Sequence, residues 1–270
     1  MSRALPMAAR RVRQTIHSFD NGSSVLASIA SGRLTSWPAD LTFRTSGLTL
    51  VTPNRPGARI PIYELFVEDA YLLEWFLTGL DRSAVVDIGA HVGCFSIAVA
   101  KRLPGAQISA YEATPSTFGY LEQNVSANNL ADRMSIHNEA VAGTRGTIAF
   151  GDTGPGSGHN GVLHLGRPGT VAIEVPSVTI EDAFGRAGGS VELVKIDAEG
   201  AEYDMILASS IGAWGTVRRV VMEYHGVEGH SWEELRRFFD AAGLRVAKHV
   251  VSVDGYGMAW LSRDDLGPCP

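Results

Sequence analysis

The segment Val85-Val86-Asp87-Ile88-Gly89-Ala90-His91-Val92-Gly93, with Cys94-Phe95-Ser96-Ile97-Ala98-Val99-Ala100 directly after it, leaves the chain few choices of fold. Residues 85–88 are β-branched and apolar apart from Asp87, as in a parallel strand buried on both faces. Gly89 and Gly93 let the backbone turn sharply and come close to a ligand. The apolar run after Gly93 continues as a helix, whose unpaired N–H groups face whatever sits on the turn. Strand, glycine turn and helix in this order open a nucleotide-type site at the carboxyl edge of an α/β sheet. The same turn also occurs where a strand and a helix merely pack.

A second apolar run, Ile108-Ser109-Ala110-Tyr111, ends in Glu112, 23 residues after Gly89. An acid there is placed to accept hydrogen bonds from both ribose hydroxyls of an adenosine. The turn itself separates two cofactors. Dinucleotide sites need G-x-G-x-x-G, whereas this chain has Asp87-x-Gly89-x-x-x-Gly93. A carboxylate beside the turn repels a pyrophosphate but suits the ammonium of a methionyl group. S-adenosylmethionine fits this pattern better than NAD.

Further strands read at 134–138, tipped by Glu139-Ala140-Val141, at 191–196, tipped by Asp197, and at 217–222, tipped by Glu223-Tyr224-His225. The end differs: residues 244–251 and 257–261, with a turn at Asp254-Gly255, form a hairpin. The fold class is therefore α/β, a Rossmann-like class I methyltransferase fold. Its mostly parallel seven-stranded sheet ends in an antiparallel hairpin, with helices on both faces. Thr179 with Asp182, and Ser231 with Glu234, read as helix N-caps.

Two units divide the chain on this reading. Residues 1–80 form an N-terminal segment: a basic arm, a hairpin over 41–51 and a helix covering the cofactor pocket. Residues 81–270 form the S-adenosylmethionine-binding domain. Within it, residues 151–169 make a glycine-rich loop, read as a lid or substrate loop, with a surface insertion as the alternative.

At these residues the chain resembles the FkbM family of S-adenosylmethionine-dependent methyltransferases. Residues 85–93, 111–115, 194–202 and 220–224 carry the resemblance, most specifically Val194-Lys195-Ile196-Asp197-Ala198-Glu199-Gly200-Ala201-Glu202. His91 is a departure, since family members more often have Asn there. The resemblance implies that Tyr71 helps to close the pocket; the alternative places Tyr71, Trp75 and Phe76 on the apolar face of an ordinary helix. It also implies a hydroxyl acceptor on a small molecule such as a polyketide, sugar or other secondary metabolite.

The candidate cofactor residues are Tyr71, Asp87, Gly89, Ala90, His91, Gly93, Glu112, Ala113, Glu139, Ala140 and Asp197. Asp87 is assigned, directly or through water, to the methionyl ammonium, Glu112 to the ribose, and Glu139 with Ala140 to the adenine edge. The candidate catalytic residues are His225, Asp197 and Glu199. His225 is chosen as base because a neutral imidazole is available near pH 7. Glu199 and Glu202 read equally well as first-turn acids favouring the following helix dipole. A divalent cation on Asp197, Glu199, Glu223 and His225 is weighed, but no fixed ligand spacing supports it, and no metal is assigned.

The net charge of -6 argues against a general nucleic-acid surface. Cys94 and Cys269 have no metal or redox spacing, which suits a reducing cytoplasm. No stretch has the length of a membrane span. A small-molecule acceptor is the expected partner, and the oligomeric state is left open, a homodimer being one candidate. Alternatives to O-methylation are transfer to nitrogen or carboxylate. More distant ones are a nicotinamide-dependent oxidoreductase and a non-catalytic cofactor-binding module.

Overall fold

The computed structural model describes residues 7–35, 39–162, 166–252 and 255–270, without the side chains of 33–35. Helices α1 (Met7–Ser18) and α2 (Gly22–Thr35) precede the hairpin β1 (Asp40–Thr45) and β2 (Leu48–Pro53). Two short helices follow, α3 (Ile60–Phe66) and α4 (Leu73–Phe76). The alternation then begins: β3 (Ala84–Ile88), α5 (Cys94–Arg102), β4 (Gln107–Tyr111), α6 (Pro115–Ala127) and β5 (Met134–His137). Three strands interrupt it, β6 (Ala140–Val141), β7 (Gly146–Asp152) and β8 (Val171–Val178). It resumes with α7 (Ile180–Arg186), β9 (Val191–Ile196), α8 (Glu202–Ala208), β10 (Arg219–Tyr224) and α9 (Trp232–Ala241), and closes on β11 (Arg245–Val251) and β12 (Gly257–Ser262).

The main sheet has seven strands in the order β11-β12-β10-β9-β3-β4-β5. Strands β5, β4, β3, β9 and β10 pair in parallel, while β12 enters antiparallel between β10 and β11. This is the expected fold class. Because helices cover both faces, neighbouring residues of one strand serve opposite cores: Val85 packs with α5 and α6, and Val86 packs with α7, α8 and α9. That double burial is why the strands read as continuous apolar runs rather than alternating ones.

Residues before 81 share the first of these cores. Phe19 meets Phe43 and Tyr63 edge-on, and the apolar cluster runs on through Leu73 to Ile97 and Leu121. The hairpin β1–β2 is held by two asparagines, Asn124 in α6 and Asn128 at its C-cap. Asn124 donates to Val51 O (2.9 Å) and Val92 O (2.8 Å) and accepts from Val51 N (2.6 Å). Asn128 joins Thr49 through both its amide nitrogen and its oxygen.

Several boundaries differ from the sequence reading. The run 62–76 is not one helix. Asp69 and Leu72 take left-handed backbone (φ 45° and 52°) and break it between α3 and α4, and Tyr71 falls in the break. Ala140 and Val141, read as the tip of the strand at 134–138, pair instead with β8 in a separate three-stranded sheet. Both N-caps form as capping boxes, Thr179 with Asp182 and Ser231 with Glu234. The turn expected at Asp254-Gly255 lies partly outside the described residues.

Candidate active site

One cavity opens where β3, β4 and β9 end. Its floor is the glycine turn, where Gly89 (φ +74°) packs so tightly that a Cβ would lie 1.7 Å from the carbonyl oxygen of Asp197. Only glycine supplies both that conformation and that approach. The amides of Gly89 and Ala90 donate to Tyr111 O at 3.0 and 2.8 Å, which fixes the turn against the tip of β4. Gly93, also left-handed (φ +91°), is the N-cap of α5.

Glu112 stands beside this turn. Its Oε2 accepts from the His91 amide and its Oε1 from the Thr114 amide, both at 2.9 Å. Burial raises its pKa, and these two amides oppose the rise. Each carboxylate oxygen keeps a further lone pair for a hydroxyl. The wall next to it is apolar: Ala113, Ala140, Ile148 and Phe150 all line the cavity and pack in one small cluster. Glu139 lines the cavity too, with its carboxylate paired to Arg186.

Lys195 lies under the turn. Its Nζ donates to Gly89 O at 2.6 Å and sits 3.4 Å from Asp87 Oδ1 and 3.6 Å from Asp197 Oδ2. Burial works against its charge, but Asp87 and then Asp197 hold its pKa above the ordinary value. Asp87 is fully buried, accepts from Ser96 Oγ at 2.6 Å, and does not line the cavity. Its charge faces Lys195, and Asp197, at 28% side-chain exposure, is the carboxylate that reaches the open space.

The far end of the cavity gathers carboxylates: Glu64 from α3, Asp197 and Glu199 after β9, and Glu223 on β10. Burial first, then the charge of Asp197, pushes Glu223 up to about 7 and raises Glu64. Burial also carries Glu199 up to about 8; His225 opposes the rise, and Asp197 and Glu202 add to it. His225 stands behind Glu199. Its Nδ1 donates to Glu202 Oε1 at 2.8 Å, and its Nε2 is 3.5 Å from Glu199 Oε2. Burial opposes charge on the imidazole, yet the hydrogen bond and charge of Glu202, then the charge of Glu199, raise its pKa to about 9. Glu202 is in turn held by the amides of Ala198 (3.0 Å) and Gly200 (3.1 Å). One oxygen or nitrogen from each of Asp197, Glu199 and His225 lies within 4.8 Å of the others.

The cavity brings together Tyr71, Gly89, Ala90, His91, Glu112, Ala113, Glu139, Ala140, Asp197 and Glu199. Asp87, Gly93 and His225 stand behind its lining. His225 is buried and charge-paired rather than loop-exposed, because Glu202 turns inward from the start of α8 to meet it. Lys195 and Glu64 were not singled out for a role. A lysine in the middle of the apolar strand 191–196 must find partners on folding, and that signal was there to read for Lys195. No local pattern marks Glu64. The glycine-rich loop lies against the same end: Ser157, Gly158 and Asn160 line the cavity, while residues 163–165 are outside the described ones. Asn160 Oδ1 accepts from Thr153 N (2.8 Å), and the Gly156 amide reaches Thr117 Oγ1 on α6 (3.0 Å).

This sheet order, with a glycine turn after β3, an acid at the tip of β4 and an Asp at the tip of β9, defines an S-adenosylmethionine-dependent methyltransferase. The family model described as "Methyltransferase FkbM domain" matches residues 87–246, and the chain belongs to that family. Among its relatives, Methyltransferase 1 of Beauveria bassiana (strain ARSEF 2860) is 23% identical over 215 residues, covering 71% of this chain and 84% of its own. The 31-O-demethyl-FK506 methyltransferase FkbM of Streptomyces tacrolimicus is 25% identical over 214 residues, covering 68% and 81%. Among solved structures, M. jannaschii TYW2 in complex with AdoMet is 16% identical, covering 84% of this chain and 87% of its own at a TM-score of 0.44.

Proposed function

We propose that this protein transfers the methyl group of S-adenosylmethionine to a hydroxyl oxygen of a small-molecule acceptor. The observation that carries the reading is the division of one cavity into a ribose-and-base end, at Glu112 and its apolar neighbours, and an acidic end at Asp197, Glu199 and Glu223. The cofactor fits on these grounds. Glu112 is already oriented by two amides, the bare Gly89 backbone leaves room, and the acidic end suits a group carrying both a sulfonium and an ammonium. The name of the Streptomyces relative, a 31-O-demethyl-FK506 methyltransferase, supports an oxygen acceptor.

S-adenosylmethionine, when bound, would supply a methyl group on sulfonium sulfur that passes to the acceptor oxygen, with the S–C electron pair left on sulfur and the acceptor proton left to a residue of the chain. The chain's own residues hold the partners in line, which can contribute roughly 7–11 kcal/mol. Glu112 would hold the ribose, and Asp197, screened by Lys195, would meet the ammonium directly, with Asp87 behind it. Asp197, Glu199 and Glu223 would surround the acceptor oxygen, with His225 behind Glu199. Glu223, with its pKa near 7, is suited to take the proton; His225, already protonated at that pH, is not. Tyr71 and the loop at 157–160 would close the cavity, and the segment before residue 81 would wall it through Pro61, Glu64 and Leu65.

The test is to incubate the protein with S-adenosylmethionine and a panel of hydroxylated polyketides and sugars, and to look by mass spectrometry for the gain of one methyl. A methyl ether formed on one of them supports the reading. Transfer only to amines or carboxylates would replace the oxygen acceptor with a nitrogen or acid one.

A further inference from the structure

We propose that Asp197, Glu199 and His225 form a binding site for one divalent first-row transition-metal cation, seated at the acidic end of the cavity. The inference rests on the methyltransferase reading only for what the cation would do there, not for its binding. The three side chains offer two oxygens and one imidazole nitrogen within 4.8 Å of one another, the span of donors around a single ion. They come from the tips of two adjacent parallel strands, so the sheet sets their spacing.

A second observation points the same way. His225 is 1% exposed and its imidazole is orientated by a buried carboxylate: Nδ1 donates to Glu202, itself fully buried and fixed by the amides of Ala198 and Gly200. This leaves Nε2 facing Glu199 Oε2 at 3.5 Å, where the cation would take the place of the imidazole's second proton. A carboxylate holding the far nitrogen of a histidine is the arrangement that fixes the tautomer of a metal-bound imidazole. The titratable groups facing this point are Lys195, 3.6 Å from Asp197, and the carboxyls of Glu64 and Glu223. Mixed oxygen and nitrogen donors favour Mn²⁺ or a similar ion over Mg²⁺, which prefers oxygen alone. An acceptor oxygen would complete the ion's shell, and the ion would favour loss of the hydroxyl proton.

Titrating Mn²⁺ into the full chain, with free Mn²⁺ followed by electron paramagnetic resonance, tests this. The expected result is one equivalent bound, weakened at least tenfold by Glu199→Gln and by His225→Asn. Glu202→Gln, which loosens the imidazole without removing a donor, should weaken it by about 10–100-fold. The thermal shift with S-adenosylhomocysteine in the presence of chelator serves as the folding control for each variant. No bound Mn²⁺, or binding unchanged in Glu199→Gln, overturns the site. S-adenosylhomocysteine binding without Mn²⁺ binding removes the cation and keeps the cofactor; the reverse keeps the cation and removes the cofactor.

Discussion

Glu112 shows how little a site residue needs beyond the right neighbours. Two amides at 2.9 Å orient its carboxylate before any ligand arrives. Replacing it with Ala should raise the dissociation constant for S-adenosylhomocysteine by about ten- to hundredfold, the effect of losing charge-assisted hydrogen bonds worth roughly 1.5–3 kcal/mol. Calorimetric titration reads this directly, and an unchanged constant would remove the ribose assignment. His225 gives a prediction in pH. Its folded pKa, about 9, lies above the ordinary 6.5, so its contribution to stability is complete below about 6.5 and is lost as pH rises through about 9. Glu199, raised from 4.5 to about 8, acts in the same direction over a lower window. With chelator present, the urea midpoint should fall between pH 6 and pH 9.5. His225→Gln should flatten the upper part of that fall, and an identical profile would show that the pairing with Glu202 adds nothing.

Among the elements, the strand–turn–helix of β3 and α5, the acid after β4 and the closing hairpin could all be read from the chain, because local chemistry dictates each one. Apolar β-branched runs, glycines and capping boxes act within a few residues. What could not be read depends on distant partners. The break at Asp69 and Leu72 leaves Tyr71 at the cavity wall, and nothing between residues 62 and 76 announces it. The inward turn of Glu202 depends on His225, 23 residues away in sequence. Asn124 is the sharpest case. From the last turn of α6 it ties both backbone groups of Val51 and the carbonyl of Val92, joining the β1–β2 hairpin to the glycine turn. Asn124→Ala would leave these buried groups unpaired and should cost on the order of 3 kcal/mol in urea unfolding. It should also weaken S-adenosylhomocysteine binding, because the turn loses an anchor; a stability loss with unchanged affinity would mean that the hairpin and the turn are independent.

For the whole molecule, the net charge of -6 and the acidic cavity bear on the choice of partner. A chain that gains most of its nucleic-acid affinity from neutralising phosphates needs a basic face. Transfer RNA should therefore show no retarded band with this protein at about 50 mM salt; a clear shift would reopen the acceptor class. None of the helices among the described residues is long and apolar enough to cross a membrane. The last strand carries a consequence of another kind. The indole of Trp260 on β12 donates to the carbonyl of Tyr71 at 2.9 Å, and the ring of Tyr71 lines the cavity. A ligand pressing on that ring disturbs the environment of a buried chromophore one bond away. Trp260→Phe should abolish most of the ligand-induced change in emission, and if it does, the protein carries its own optical gauge of occupancy, usable for screening acceptors without labelling either partner.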